Sequence, residues 1–317
     1  MRGFITRFIQ FCGIGCLILL PVCSLKYWDQ SRHFLEINAL QGALANGVNV
    51  VMFGDSVNRD YAATDHDRRA ISEMLDDMLP GSAVHAVDHP AYHAELFREF
   101  VRYILQTPGG KVRLFVVPIN LRSFSPEWHL RPDYQFVRER YLLNRLPFIA
   151  DFLFQGVSAR SFLNTPILYG NTQIGTVGEF ERSTVDLMRT GFIYHYMQPL
   201  EARHPKLLAL EEIEKLARRA RIPVIFYITP VDWVLAECVG VDGFARQVSS
   251  SCELVQNALS SCTVIDLSLS LGSCFFHHTA RPYEHLNEIG RLFVAQTLLR
   301  AIEDDEISKI DRQKLRH

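Results

Sequence analysis

The sequence lacks the marks of several large function classes. No cluster of lysine and arginine is interleaved with aromatic residues, and 33 basic against 35 acidic side chains leave a formal net charge of -2. Nothing in that balance attracts a polyanion, so nucleic acid is not an expected partner. There is no G-x-G-x-x-G and no phosphate-binding P-loop, and no nucleotide cofactor is implied. No C-x-x-C or Cys/His spacing suggests zinc; Asp88, His89 and His93, and the pair His277 and His278, match no familiar ligand spacing. The reading therefore calls for no metal and no other cofactor. Disorder is excluded by a hydrophobic fraction of 48% over 317 residues, enough for one full core.

Charge is absent altogether from residues 8–25, between Arg7 and Lys26, and that run is about as long as a bilayer crossing requires. It reads as a signal anchor with Arg2 and Arg7 on the cytoplasmic side, and the competing reading is a cleaved signal peptide. The anchor is preferred because the run ends in Val22, Cys23, Ser24 and Leu25 without a small-x-small cleavage site, and Trp28 can sit at the interface. The expected layout is a cytoplasmic N-terminus over 1–7, a span over 8–25, a juxtamembrane linker over 26–47, and a catalytic-sized domain over 48–302. A charged tail over 303–317 is expected to fray. Three of the seven cysteines lie in the apolar run, leaving Cys238, Cys252, Cys262 and Cys274; an exported domain permits disulfides among these four, and scattered buried thiols are the other reading.

Beyond the linker, short apolar strands alternate with helices. Residues 48–53 are β-branched and apolar and stop at Gly54-Asp55-Ser56, and residues 64–79 carry apolar side chains at helical spacing with Thr64 and Asp67 as a capping pair. The unit repeats as strand 83–87, a helix from Tyr92, and strand 112–119. It repeats again as helix 207–220, strand 223–228, helix 244–259, strand 263–267 and a last helix over 288–302. Alternation of this kind, with strands apolar on both faces, predicts an α/β fold with a parallel sheet covered on both sides. Residues 125–200 break the rhythm as a helical, aromatic-rich insertion containing Phe148, Phe152, Phe154, Phe162, Tyr169, Tyr194 and Tyr196. It reads either as a lid or substrate wall near the site or as an extra helical layer that fills a hydrophobic groove.

In such sheets ligands sit beyond the carboxyl ends of the strands. Ser56 follows the first strand, Asn120 follows the third, and His285 precedes the last helix. A hydroxyl, a base and an amide donor are the types that acyl transfer needs.

These same residues carry a family resemblance. Phe53-Gly54-Asp55-Ser56 resembles the first block of SGNH/GDSL hydrolases, Val116-Val117-Pro118-Ile119-Asn120 the third, and His285-Leu286-Asn287 with Gly290 the fifth. The resemblance implies a three-layer, flavodoxin-like fold with Ser56 as nucleophile and His285 as base. It also implies an oxyanion hole from the Ser56 backbone N–H and the Asn120 amide. Two positions depart from the pattern. The acid that usually stands three residues before the histidine is replaced by Pro282, with Glu284 the nearest carboxylate, and the glycine of the second block is missing where Val87-Asp88-His89-Pro90 stands. Glu284 is the expected acid, with a carboxylate from elsewhere or a Ser-His dyad left open, and the backbone near His89 is the stand-in oxyanion donor.

The phrase 118–125 resembles membrane-anchored SGNH proteins that add or remove acyl groups on cell-surface polysaccharides. That implies a single-pass inner-membrane protein with a periplasmic domain, acting as an esterase or O-acyltransferase on O-acetyl groups of a glycan. Its partners would be an acylated polysaccharide or acyl donor, the membrane through 8–25, and polysaccharide assembly proteins. Arg122, Ser123, Trp128 and Asp232 are the expected substrate residues. Two rivals remain: a catalytically silent SGNH domain that binds glycan or scaffolds an assembly machine, favoured by Pro282 and the altered second block, and a lipid esterase, suggested by the anchor and the aromatic insertion.

Overall fold

The computed structural model describes residues 35–79, 81–108, 110–144, 177–277 and 284–314. The expected span at 8–25, the N-terminal cysteines, the aromatics from Phe148 to Tyr169, His278 and Pro282 lie outside the described residues. Among the described residues no helix is long and apolar enough to cross a membrane.

Five strands, β1 (Val50–Gly54), β2 (Val84–Asp88), β3 (Leu114–Ile119), β4 (Val224–Ile228) and β5 (Thr263–Asp266), form one parallel sheet in the order β2-β1-β3-β4-β5. This is the doubly wound order of flavodoxin-like folds. Register brings Gly54 beside Asp88, Ile119 beside Ile228, and Ile228 beside Asp266, so the carboxyl ends share one rim.

The central strands β1, β3 and β4 are apolar along their length because both their faces are buried, while the edge strands β2 and β5 are more open. Met52, Val116, Ile225 and Tyr227 join a core with α3 (Ile71–Met78) and the last helix, α11 (Glu288–Lys314). Val51, Phe53, Phe115, Val117 and Phe226 point into the opposite core. That second core is closed by α1 (Leu35–Ala45), α4 (Ala94–Gln106), α8 (Pro205–Ala220) and α10 (Phe244–Ala258). Among the described residues the other α-helices are short α2 (Ser56–Arg59), α5 (Glu127–Leu130), α6 (Val137–Leu143) and α9 (Trp233–Cys238), and the longer α7 (Val177–Tyr196).

Three boundaries differ from expectation. The stretch read as a juxtamembrane linker contains α1, whose Ile37, Leu40 and Leu44 repeat at helical spacing and are buried in the core, so the folded unit begins before residue 48. The helix expected from Thr64 begins at Ile71. Residues 60–69 do not enter its ladder because the carbonyls of Asp60, Asp67 and Arg69 all accept from the Arg291 guanidinium. Asp67 accepts from the Arg69 backbone instead of pairing with Thr64, while Glu73 reaches back to the Ala70 N–H to cap the real start. The charged end expected to fray continues α11 to Lys314. The four cysteines of the last third are all free thiols, with Cys252 buried beside Ser268 at 3.3 Å.

Gly54 ends β1 where the turn that carries Ser56 begins. A Cβ there would stand 2.8 Å from the Asn58 Cβ and 2.9 Å from the Asp88 Cβ, atoms too close to the backbone to swing aside. Gly54→Ala should therefore destabilise the fold by about 1–3 kcal/mol in urea unfolding, and an unchanged midpoint would show that the turn has slack.

Candidate active site

Asp55 leaves β1 in extended conformation and caps α2, its carboxylate accepting from the Val57 N–H at 2.9 Å. A helix of four residues is too short to hold itself. Buried Asn58 holds it, donating to Ser72 Oγ at 3.1 Å and to Asp88 at 2.6 Å while accepting from the Ser72 N–H at 3.0 Å. Ser56 is thus presented at the start of a tethered turn, where the first backbone N–H groups have no partner within the helix.

His285 arrives from the other end of the chain. Its carbonyl accepts from the His277 N–H at 3.0 Å, and the two imidazoles stack with centroids 5.6 Å apart. Leu286 is fully buried and bridged to Phe276. Asn287 caps α11 through the N–H groups of Ile289 and Gly290, both at 3.1 Å, and donates to the Cys274 carbonyl at 2.7 Å. Any side chain at Gly290 would press on the Phe275 carbonyl at 2.6 Å. The result is that His285 Nε2 lies 3.1 Å from Ser56 Oγ across 229 residues of sequence, within hydrogen-bond contact. On the same edge of the ring, Asp60 Oδ2 is 3.4 Å from Nε2.

Asn120 sits at the end of β3, buried. Its amide donates to Asp55 Oδ2 at 2.8 Å, and its oxygen accepts from the Arg122 N–H at 3.0 Å. An amide nitrogen carries two hydrogens, so the bond to Asp55 uses one and orients the other. Asp55 itself is pushed up to about 7, first by burial and then by the nearby Glu284 charge, against the Asn120 and Val57 bonds that favour its ionised form.

The structure brings Ser56, Asp55, Arg122, Trp128, His89 and Glu284 around one cleft of about 330 Å³, with Tyr134 and Phe136 from the insertion completing its wall. Glu284 does not serve the expected part as acid. Its Oε1 accepts from Arg122 at 3.2 Å and its Oε2 from the Tyr196 hydroxyl at 2.7 Å, so both oxygens are committed although its neighbour in sequence is His285. Arg122 is buried and lies over the Trp128 ring at 5.2 Å. Burial opposes its charge, but Glu284, Tyr196 and Glu127 outweigh this and hold the guanidinium above its ordinary value.

Two other expectations are corrected. Asp232 is fully buried and accepts from the Leu235 N–H at 2.9 Å and from Ser273 at 2.5 Å, which makes it the cap of α9 rather than a substrate residue. Ser123 is also buried and lines a small cavity with Asp55, Asn120 and Phe124 rather than the larger cleft that Ser56 lines. His89 lines the cleft with its ring bonded to the Pro90 carbonyl at 2.9 Å. Just after it, Ala91 has a φ of 66°, a left-handed backbone that glycine adopts freely, and its carbonyl accepts from the Trp128 indole at 3.2 Å. The remaining candidate ligands are used structurally: Asp88 by Asn58, and His93 by the Tyr134 carbonyl at 2.7 Å.

Sequence reasoning missed Asp60, Asn58, Tyr196 and Arg291. Asp60 carried a readable signal, a carboxylate one helical turn after the serine. Tyr196 and Arg291 carried none, since each meets its partner only through tertiary packing.

No protein-family model matches the chain, and no curated protein matches it. Among solved structures, it is similar to a carbohydrate acetylesterase family member from Sinorhizobium meliloti, at 13% identity over 80% of this chain and 97% of that one, with a TM-score of 0.39. It is also similar to a catalytic mutant of an acetylxylan esterase from Geobacillus stearothermophilus, at 11% identity over 80% of this chain and 94% of that one, with a TM-score of 0.39. At such scores the fold is read from the chain's own strand order.

The raised Asp55 has a consequence for stability. Between its ordinary value of 3.8 and about 7 the folded chain keeps a proton that the unfolded chain has released. Unfolding in that interval releases protons, so this group's contribution falls as pH rises from 3.8 to about 7 and is level above. Buried His93, held down to about 3 by burial and then by Lys206, works the opposite way below 6.5. The comparison with Asp55→Asn isolates the carboxyl. In urea unfolding at several pH values the variant should gain on the parent as pH rises toward 7, and parallel curves would contradict the buried proton.

Proposed function

We propose that the chain is a serine-dependent esterase or O-acyltransferase acting on O-acyl groups, chiefly O-acetyl, of an extracytoplasmic polysaccharide. One observation carries the reading: the Ser56 hydroxyl and the His285 imidazole are in hydrogen-bond contact at 3.1 Å. A serine hydroxyl is a weak nucleophile until a base takes its proton, and this geometry supplies the base without any motion.

In the first half-reaction, Oγ bonds to the ester carbonyl carbon as its proton passes to Nε2, and the carbonyl π electrons move to oxygen. The Ser56 N–H at the start of α2 and the second hydrogen of Asn120 are the donors available to that oxyanion. The imidazolium then gives its proton to the departing sugar oxygen as the carbon–oxygen bond breaks, leaving acyl-Ser56. Water or a sugar hydroxyl repeats the sequence in reverse, which yields hydrolysis or transfer. Exclusion of water decides between them.

A sugar suits the cleft better than a hydrocarbon tail. Tyr134 and Phe136, backed by the buried Trp128, give rings for the apolar face of a pyranose, while Arg122, Glu284 and His89 bring polar groups to the same wall. Arg122 is already neutralised by Glu284, which favours a neutral hydroxyl over a free acid group at that spot. The uncharged run at 8–25 supports placing the domain outside the cytoplasm, tethered to the inner membrane.

The test compares full-length parent and Ser56→Ala on an aryl acetate and on an O-acetylated polysaccharide, with acetate release and transfer to added glycan both followed. Loss of about 10³-fold or more in turnover is expected for the variant on both substrates. Turnover unchanged by the substitution would reject the serine mechanism and return the protein to a binding or scaffold role.

A further inference from the structure

Asp60 stands four residues after Ser56 and is pinned through its backbone at both ends. Its N–H donates to the Ser56 carbonyl at 2.8 Å, closing α2, and its own carbonyl accepts from Arg291 at 3.2 Å. Arg291 is fully buried and also donates to Asp65 and to the Leu286 carbonyl, each at 2.9 Å, so it ties the turn that follows Ser56 to the turn that follows His285. With its backbone fixed this way, Asp60 brings Oδ2 to 3.4 Å from His285 Nε2. Among the described residues it is the carboxylate within ion-pair range of that ring. Proline occupies position 282, and Glu284 is held by Arg122 and Tyr196.

We propose that Asp60 is the charge partner of His285, performing from the Nε2 edge of the ring the task that a triad acid performs from the far edge. The inference rests on the Ser56–His285 reading above. In the resting site the Nε2 lone pair accepts from the serine hydroxyl, and a carboxylate facing that lone pair gains nothing. Once the proton has moved from Oγ to Nε2, the same carboxylate faces an N–H that bears positive charge, and the contact becomes attractive. An interaction that exists only after proton transfer lowers the barrier rather than tightening substrate binding. The proton stays on Nε2 between the two oxygens until the departing oxygen takes it; Asp60 is not protonated at any point. Because the Asp60 side chain is 42% exposed, water and salt weaken the effect relative to a buried acid.

The experiment uses the full-length protein in detergent and a fluorophosphonate probe, which reports nucleophile activation whatever the natural substrate is. Asp60→Asn should label at Ser56 between about 10-fold and 100-fold more slowly than the parent, short of the ~10⁴-fold loss seen when a buried triad acid is removed. Asp60→Glu should recover most of the rate. On an aryl acetate the same loss should fall in kcat with KM unchanged, a split that mere loosening of the turn would not produce. A labelled parent with an equally labelled Asp60→Asn overturns this inference alone. A parent that takes no label overturns the nucleophile reading and this inference with it.

Discussion

The site depends on one buried cation. Arg291 has no exposed surface, and an isolated guanidinium in such a place would be untenable. It is stable because its donors are met by four backbone carbonyls, those of Asp60, Asp67, Arg69 and Leu286, and by the Asp65 carboxylate. Those acceptors come from two stretches more than two hundred residues apart in sequence. Satisfying one side chain therefore fixes the loop after the serine against the loop after the histidine, and the 3.1 Å contact between Ser56 and His285 follows from that joint. The same demand explains why residues 60–69 are not helical.

A second buried network does for the cleft what Arg291 does for the Ser56–His285 contact. Arg122 follows β3, Glu284 precedes His285 and Tyr196 ends α7 of the insertion, and the three meet through a carboxylate with both oxygens occupied. Glu127 extends the network, 3.9 Å from Arg122, 3.5 Å from His195 and 3.0 Å from Arg131. Breaking a buried pair leaves an uncompensated charge, which costs several kcal/mol, so the insertion is locked to the sheet rim rather than laid on it. Its Tyr134 and Phe136 form part of the cleft wall, which favours the substrate-wall reading of the segment over a mere covering layer.

Much of this was legible in the sequence, for definite reasons. The parallel sheet was readable because its central strands are apolar on both faces, and the positions of Ser56, Asn120 and His285 were readable because ligand residues in such sheets lie beyond strand ends. Gly54 and Gly290 mark close approaches that a side chain would block, and so they belong to the motifs in a physical sense. Glu284 misled because adjacency along the chain does not fix the direction of a side chain; Arg122 and Tyr196, remote in sequence, claimed it. Asp232 misled because a carboxylate after a strand is as useful for capping a helix as for holding a ligand. The linker reading of 26–47 overlooked that Ile37, Leu40 and Leu44 share one helix face.

The chemistry then reduces to whether the imidazole activates the hydroxyl it touches. The direct measurement is intact-protein and peptide mass spectrometry after rapid mixing with an aryl acetate, for the parent chain and for His285→Ala. The account predicts an acetyl group on the peptide containing Ser56 in the parent and none in the variant over the same interval. Equal acetylation of Ser56 in both proteins would contradict it.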